Sequence, residues 1–127
     1  MSHFVNYECK VKNLDYLKQA LTEMGYQYSE KVTITDYYNK KRYADLAVVR
    51  EGQLLPIGWT TEGEELKLYA DWFNTGVNQR QFTDRISQLN SKMLVQEACE
   101  QEGWYVDLDE IVENEQGEIE IVAVRYA

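Results

Sequence analysis

Apolar and polar positions alternate along residues 66–73, which is the two-residue period of a strand. Farther along the chain, the apolar residues recur at the interval that is typical of a helix. The even-numbered positions of this stretch are apolar: Leu66, Leu68, Ala70 and Trp72. This two-residue period predicts a strand, and its heavily apolar face favours a place inside a sheet. Residues 74–78 supply turn and capping side chains, and apolar residues recur at helical spacing from Phe82 onward. The rest of the chain is predicted to pack around this strand and helix.

The first 25 residues contain a second strand pattern and a second helix pattern. Residues 3–12 alternate between apolar and polar side chains, which predicts a half-buried strand. Asn13 is a suitable helix cap, and the leucines that follow it form an apolar stripe. Gly25 stands where a helix commonly ends in the left-handed conformation. The sequence therefore marks both ends of the first helix.

The segment between the two helices is rich in β-branched and aromatic residues, which pack well on a pleated sheet. One or two strands are predicted over residues 26–38, and further strands over 44–50, 54–60 and from 66, with turns at 39–42, 51–52 and 61–63. Short turns between consecutive strands predict an antiparallel meander. Because Pro56 cannot donate a ladder hydrogen bond, its strand is expected at a sheet edge or beginning after the proline.

The last third of the chain is predicted to hold one long helix and a hairpin. The apolar face of the helix changes near Asn90, so the helix either breaks there or presents two faces in turn. The absence of Gly and Pro from residues 78–102 favours one continuous helix that ends at Gly103. Two strands joined by a turn follow, over residues 104–113 and 118–126.

This order of elements defines the predicted fold class. Runs of neighbouring strands interrupted by only two helices are typical of an α+β protein. We predict a single domain over residues 1–127, in the order β-α, strand meander, α, β-β, with both helices on one face of a mostly antiparallel sheet. A chain of 127 residues with 44% hydrophobic content suffices for one ordinary core.

The composition of the chain limits the cellular compartments in which the protein is expected. The sequence has no apolar run long enough for a membrane span and no secretory signal, so we expect a soluble protein that is not exported. Cys9 and Cys99 match no metal-ligand or redox spacing, which favours two buried free thiols.

The net charge of −9 is unevenly distributed along the chain. Residues 1–50 carry eight basic and six acidic side chains, whereas residues 51–127 carry five basic and sixteen acidic ones. Such a negative field repels phosphate backbones, so a nucleic-acid partner is not expected even though an aromatic sheet could stack bases. The only basic cluster, residues 40–42, is too short to change that expectation.

The sequence offers no recognisable catalytic or metal-binding set. The only histidine, His3, has no zinc-ligand partner at a suitable spacing. Residues 107–118 place acids at the first, third and twelfth positions of a calcium loop, but apolar residues stand where a ligand and a glycine are needed. We therefore predict no catalytic residues, no metal and no cofactor, which favours a protein that is not an enzyme.

Aromatic residues make up 13% of the chain, more than a small core needs, although core packing could account for most of them. The predicted ligand or partner face comprises Tyr37, Tyr38, Trp59, Asp71 and Trp72. We predict a small soluble non-enzymatic protein that mediates protein–protein interaction. The alternative is a small-molecule-binding protein, or an enzyme with an unrecognised site, where Tyr37, Trp59 and Asp71 converge above the sheet.

Short signatures follow one another in a specific order over nearly the whole chain. They are the Met-Ser-His-Phe start, Gly25-Tyr26 after a Leu-rich helix, Ala44-Asp45, Ile57-Gly58-Trp59, Ala70-Asp71-Trp72 and Gly103-Trp104. In this order they resemble the hypothetical chloroplast reading frame family numbered thirty-five, which occurs in cyanobacteria and algal plastid genomes. The resemblance implies a cyanobacterial cytoplasm or a plastid stroma as the setting. It implies no reaction and transfers no catalytic residue.

The acidic C-terminal stretch predicts a surface for a basic protein partner. Residues 97–120 contain ten carboxylates and no Lys or Arg. Alternate acids in the predicted hairpin share one sheet face: Asp107, Asp109, Glu118 and Glu120. A continuous negative patch of this kind steers and holds a positively charged protein at low salt, although solubility alone could also explain it.

Reversing Asp109 and Glu120 to Lys is expected to weaken partner capture and to flatten its salt dependence. Thermal stability should change little, because exposed charges contribute little to folding. Capture from a host lysate at two salt concentrations, with a melting curve for each variant, measures both effects. Unaltered capture by the double variant would assign the patch to solubility.

Overall fold

The structure is a computed structural model that describes residues 3–105, 107–108, 111–113, 119–121 and 124–125. The elements follow in the order β1 (Val5–Tyr7), α1 (Leu14–Glu23), β2 (Gln27–Thr35), β3 (Lys41–Arg50), β4 (Gln53–Glu62), β5 (Glu65–Ala70), α2 (Gln79–Gln101), β6 (Trp104–Tyr105), β7 (Ile111–Glu113), β8 (Ile119–Ile121) and β9 (Val124–Arg125). The chain divides into two compact units, residues 1–87 and 88–127. That residues 1–127 form a single domain stays a prediction.

The first unit contains a five-stranded sheet in the order β1-β5-β4-β3-β2, in which every neighbouring pair is antiparallel. Consecutive strands β2 to β5 lie side by side, which confirms the predicted meander and the α+β class. β5 lies between β1 and β4, and its apolar positions Leu68 and Ala70 are fully buried. The strand predicted from alternation alone is therefore inside the sheet.

Local capping explains where α1 begins and ends. The side-chain oxygen of Asn13 accepts a hydrogen bond from the Tyr16 backbone N–H at 2.9 Å, which satisfies one of the free amides of the first turn. Gly25 follows the helix with φ +84°, a conformation that glycine adopts without a steric penalty. Leu17 and Leu21 lie on the buried stripe with no exposed surface.

Both helices pack on the same face of the sheet in this unit. Lys18 of α1 forms a 2.7 Å ion pair with Glu30 of β2, and the Phe82 ring of α2 lies 6.1 Å from the Trp59 ring of β4. Glu30 pairs with Leu46, and Leu46 pairs with Trp59. Because directly paired residues project to the same side of a sheet, α1 and the first turns of α2 cover one face, as predicted.

The prediction for Pro56 is wrong. Pro56 lies inside β4, which is the central strand of the sheet rather than an edge strand. It is tolerated because the register between β3 and β4 shifts between Ala47 and Val49, so the ladder is irregular opposite the proline. The Pro56 carbonyl still accepts a hydrogen bond from the Asp71 N–H at 2.9 Å.

The nine-residue strand β2 forms one edge of the five-stranded sheet and has β3 as its neighbour there. Lys31 interrupts this strand with φ +51°, an uncommon conformation for a residue with a side chain. The pairing of β2 with β3 runs through Glu30 and resumes at Val32, without a ladder pair at Lys31. The edge strand is therefore kinked at its middle.

In the second unit, the predictions for the C-terminal elements are largely confirmed. α2 continues without a break to Gln101, and Gly103 follows it with φ +83°. β6 pairs with β9 and β7 with β8, both antiparallel, so the predicted hairpin is present as two short ladders. The predicted turn between its strands lies outside the described residues.

At the other end of the chain, β1 spans three residues, shorter than the predicted strand over 3–12.

Gly58 of β4 lets neighbouring strands approach closely. A Cβ atom at this position would lie 2.8 Å from the Ala44 Cβ and 3.1 Å from the Ile34 Cδ1, closer than carbon atoms pack. Ile34, Ala44 and Ala47 are buried together, with Phe4 and Val32 packed against them. A missing side chain in a central strand is thus required by packing.

Gly58→Ala is expected to destabilise the protein by about 1–3 kcal/mol, the usual cost of overpacking a core. Removing the clashing methyl group in the double variant Gly58→Ala/Ala44→Gly should recover part of this loss. Urea denaturation of both single variants and the double variant measures the coupling. Strictly additive effects would show that the two positions do not clash.

Candidate functional site

Three exposed aromatic rings are grouped at one place on the first unit, where the middle ring contacts each of the other two. Tyr37 and Tyr38 belong to the turn between β2 and β3, and Phe73 belongs to the loop after β5. The Tyr37 ring centroid lies 4.7 Å from that of Phe73 and 5.6 Å from that of Tyr38. The exposed fractions of Tyr37, Tyr38 and Phe73 are 57%, 65% and 53%. These three residues are called the aromatic cluster below.

The buried carboxylate of Asp71 ties the two segments of the cluster together. Asp71 is only 2% exposed. Its Oδ2 accepts a hydrogen bond from the Tyr37 N–H at 3.0 Å, and its Oδ1 accepts one from the Phe73 N–H at 3.2 Å. Hydrogen bonds to an ionised acceptor are stronger than those between neutral groups. One side chain therefore fixes the backbone beneath two of the three rings.

A second buried carboxylate shapes the turn between β2 and β3. Asp36, 5% exposed, accepts hydrogen bonds at Oδ1 from the Tyr38 N–H at 3.0 Å and the Lys40 N–H at 2.8 Å. This is the local side-chain-to-backbone bonding by which aspartate stabilises turns. Among the described residues, the Asp36 Oδ2 atom is buried and has no hydrogen-bond partner. Asn39 completes the turn with φ +64°.

Further hydrogen bonds hold the backbone of the loop that follows β5. Thr75 is buried, and its backbone N–H and hydroxyl both donate to the Trp72 carbonyl. The Arg50 guanidinium donates to the Thr75 carbonyl. Asn78 then caps the next helix by accepting from the Gln81 N–H at 3.0 Å. Phe73 is therefore presented by an ordered loop.

The structure brings together some of the predicted face residues and separates others. Tyr37, Tyr38 and Asp71 meet as described, but Trp59 has no exposed surface and Trp72 is half-buried. The Trp72 ring packs edge-on against Tyr7 and against Phe82, both at 5.6 Å. Trp59 and Trp72 thus belong to the aromatic packing under α2, where core filling explains them.

Alternation along the strands explains this separation. Trp59 pairs with Leu68, so both project toward the helices. Asp71 directly follows the last residue of β5, Ala70, which has the same parity as Leu68, so continued alternation directs Asp71 away from the helix face. Tyr37, Trp59 and Asp71 therefore do not converge. Sequence analysis also missed Asp36, for which an aspartate directly before two tyrosines and an asparagine was the available turn signal.

The residues of the predicted acidic face are only partly described. Asp107 is exposed, and the Glu120 backbone pairs with Val112 in the ladder between β8 and β7. Asp109 and Glu118 lie outside the described residues. The acidic surface therefore stays a prediction.

The two cysteines and the possible metal ligands were the remaining candidates for chemistry in the described part of the chain. Cys9 and Cys99 are free and half-buried. Burial raises the pKa of the Cys9 thiol to about 12, so at neutral pH this thiol is protonated and a poor nucleophile. No group of three or more His, Cys, Asp or Glu side chains that could hold a metal ion occurs among the residues described.

Two open clefts in the first unit lie away from the aromatic cluster. One, of about 490 Å³, is bordered by the start of α2 and by Met24, Tyr26 and Arg85. The other, of about 470 Å³, lies beside the start of α1 and the turn at Gly63. Neither is lined by Tyr37, Trp59 or Asp71.

These features define an α+β protein whose first unit presents an ordered, exposed aromatic cluster, and in which no described helix is long and apolar enough to cross a membrane. The chain belongs to the family described as "Protein of unknown function (DUF1257)", whose model matches residues 20–122. No curated protein and no solved structure matches the chain.

Asp71→Ala is expected to destabilise the protein by about 2–4 kcal/mol, because two part-buried backbone N–H groups lose their charged acceptor. Asp71→Asn should cost less, since its amide oxygen still accepts one of the two hydrogen bonds. Denaturant unfolding measures the cost, and hydrogen exchange at the Tyr37 and Phe73 amides locates it.

The matched control for this prediction is Asp84→Ala. Asp84 is an exposed aspartate whose nearest cation, Arg80, lies 3.9 Å away, and surface pairs of this kind contribute little. Equal stability of the Asp71→Ala and Asp84→Ala variants would contradict the role given to Asp71.

Proposed function

We propose that the protein is a non-enzymatic interaction protein that binds a protein partner through the aromatic cluster. The observation that carries the proposal is the exposure of Tyr37, Tyr38 and Phe73, each more than half exposed, with the Tyr37 ring in contact with both of the others. Aromatic side chains dominate the energy of protein interfaces because each buries a large area with few rotatable bonds.

The turn between β2 and β3 and the loop after β5, which carry the three rings, are held in place by hydrogen bonds, and this strengthens the proposal. Binding costs free energy for every side chain and loop that must be immobilised, and a surface that is already held in place avoids part of that cost. Asp71 holds the backbone at Tyr37 and Phe73, and Asp36 holds that at Tyr38. The rings would therefore reach a partner without prior ordering of their loops.

The wider setting of the proposal comes from the sequence. The resemblance to a cyanobacterial and plastid family supports an accessory or adaptor role in a cyanobacterial cytoplasm or a plastid stroma. The uneven charge of the chain supports a partner that carries positive charge, and makes nucleic acid an unfavourable one. The acidic stretch of residues 97–120 is proposed as a second contact region for the same kind of partner.

The test is partner capture by a tagged full-length chain from a gentle lysate of its own host. The double variant Tyr38→Ser/Phe73→Ser is expected to lose most captured protein, because removing two interface aromatics commonly costs several kcal/mol of binding. Both side chains are exposed, so the melting temperature should change little.

The matched control is Tyr43→Ser/Leu54→Ser, which removes two apolar side chains that are 50% and 40% exposed elsewhere on the sheet. This control should capture as much partner as the unmodified chain. Equal capture by all three proteins, or recovery of the unmodified chain alone, would refute the proposed function.

A further inference from the structure

Three tyrosine rings elsewhere in this chain lie next to a cation of the same chain: Tyr28, which is exposed, Tyr69, which is half-buried, and Tyr16, which is buried. The Arg42 guanidinium lies 3.3 Å from the centroid of the Tyr69 ring, the shortest of the three distances. The three pairs are Lys12 over Tyr16, Lys18 over Tyr28, and Arg42 over Tyr69. Within the described part of the chain, no Lys or Arg lies over the rings of the aromatic cluster. The Tyr43 ring, which is 50% exposed, is likewise not covered by a described Lys or Arg, but it stands alone, whereas the cluster groups three uncovered rings at one place.

The orientation of the cluster rings suits a cation. Tyr37 and Phe73 meet at an interplanar angle of 78°, and Tyr37 and Tyr38 at 83°. In such edge-to-face contacts the positive edge of one ring points at the negative face of the next. Groups of near-perpendicular rings present more than one face to the same point, which is the arrangement that binds organic cations.

Two carboxylates are bonded to the backbone of the cluster residues: Asp71 accepts from the Tyr37 and Phe73 N–H groups, and Asp36 accepts from the Tyr38 N–H. The Asp36 and Asp71 carboxylates are 5% and 2% exposed, and no ion pair to either is present among the described residues. The Asp36 Oδ2 atom is also left without a hydrogen-bond partner. Buried charges act through a low effective dielectric, so their attraction for a cation above the rings is weakly screened.

We propose that the aromatic cluster is a subsite for an arginine side chain presented by the protein partner. Its guanidinium stacks on the faces of Phe73 and Tyr38, and the carboxylates of Asp36 and Asp71 attract it. The inference rests on the proposed function and specifies the chemistry of the partner. Arginine is assigned rather than lysine because a planar, weakly hydrated guanidinium stacks on aromatic faces better than a compact ammonium does.

The subsite is tested on the full chain with the probe N-acetyl-arginine amide, titrated while the resonances of Tyr37, Tyr38 and Phe73 are followed by NMR. N-acetyl-citrulline amide is the matched uncharged probe, and N-acetyl-lysine amide is the matched ammonium. Saturable shifts confined to the cluster are expected for the arginine probe, with weaker binding of lysine and no binding of citrulline.

Two variants separate the contributions of ring and charge. Phe73→Leu keeps an apolar side chain but removes one π face, and about a two- to fivefold loss of arginine affinity is expected. Asp36→Asn retains an oxygen that accepts from Tyr38 and Lys40, and should also weaken binding. Tyr43→Leu, which removes an exposed tyrosine outside the cluster, should bind the probe like the unmodified chain. Melting curves verify that every variant is folded.

The outcomes distinguish this inference from the function on which it rests. Equal shifts with citrulline, tighter binding of lysine, or unchanged affinity in both Phe73→Leu and Asp36→Asn would overturn the arginine subsite. Loss of partner capture by Tyr38→Ser/Phe73→Ser, without any arginine binding, would overturn the subsite and leave the proposed function standing. Arginine binding without partner capture would support the subsite and refute the proposed function.

Discussion

The hydrogen bonds that the Asp71 carboxylate accepts from two separate backbone segments hold the exposed face of this protein together. Tyr37 and Phe73 are 36 positions apart in the sequence, yet their amides donate to the same side chain. Burying an ionised carboxylate is costly, and the cost is offset only when strong hydrogen bonds replace its water. An apolar residue at this position would leave both amides without that acceptor. The same side chain thereby fixes the backbone that carries two of the three exposed rings.

Those parts of the fold that depend on local chemistry could be predicted from the sequence. Asn13 and Gly25 mark the ends of α1 because capping and left-handed backbone are properties of single residues, and both act in the structure as expected. The meander followed from turn residues between strands. Pro56 was misplaced because a shift in register between β3 and β4 depends on how two strands meet, which neither strand specifies alone.

The candidate site was only partly predictable, for a related reason. Residue type and membership of predicted neighbouring strands point to Tyr37, Tyr38 and Asp71, but they do not specify the side of the sheet on which each side chain lies. Alternation sends Trp59 to the helices and Asp71 to the opposite face. Asp36 was missed because its importance comes from burial, and the burial of an aspartate is decided by tertiary packing rather than by its neighbours in sequence.

The kink at Lys31 has a consequence for how the protein behaves at high concentration. A nine-residue outer strand offers a row of free amides and carbonyls that a strand from another molecule could extend into an aggregate. The left-handed backbone of Lys31 breaks that row near its middle, and Glu30 and Lys31 add exposed side chains that carry charge at the same place. An irregular, charged edge of this kind is a poor template for a further strand, so the left-handed residue disfavours edge-to-edge association of the sheet.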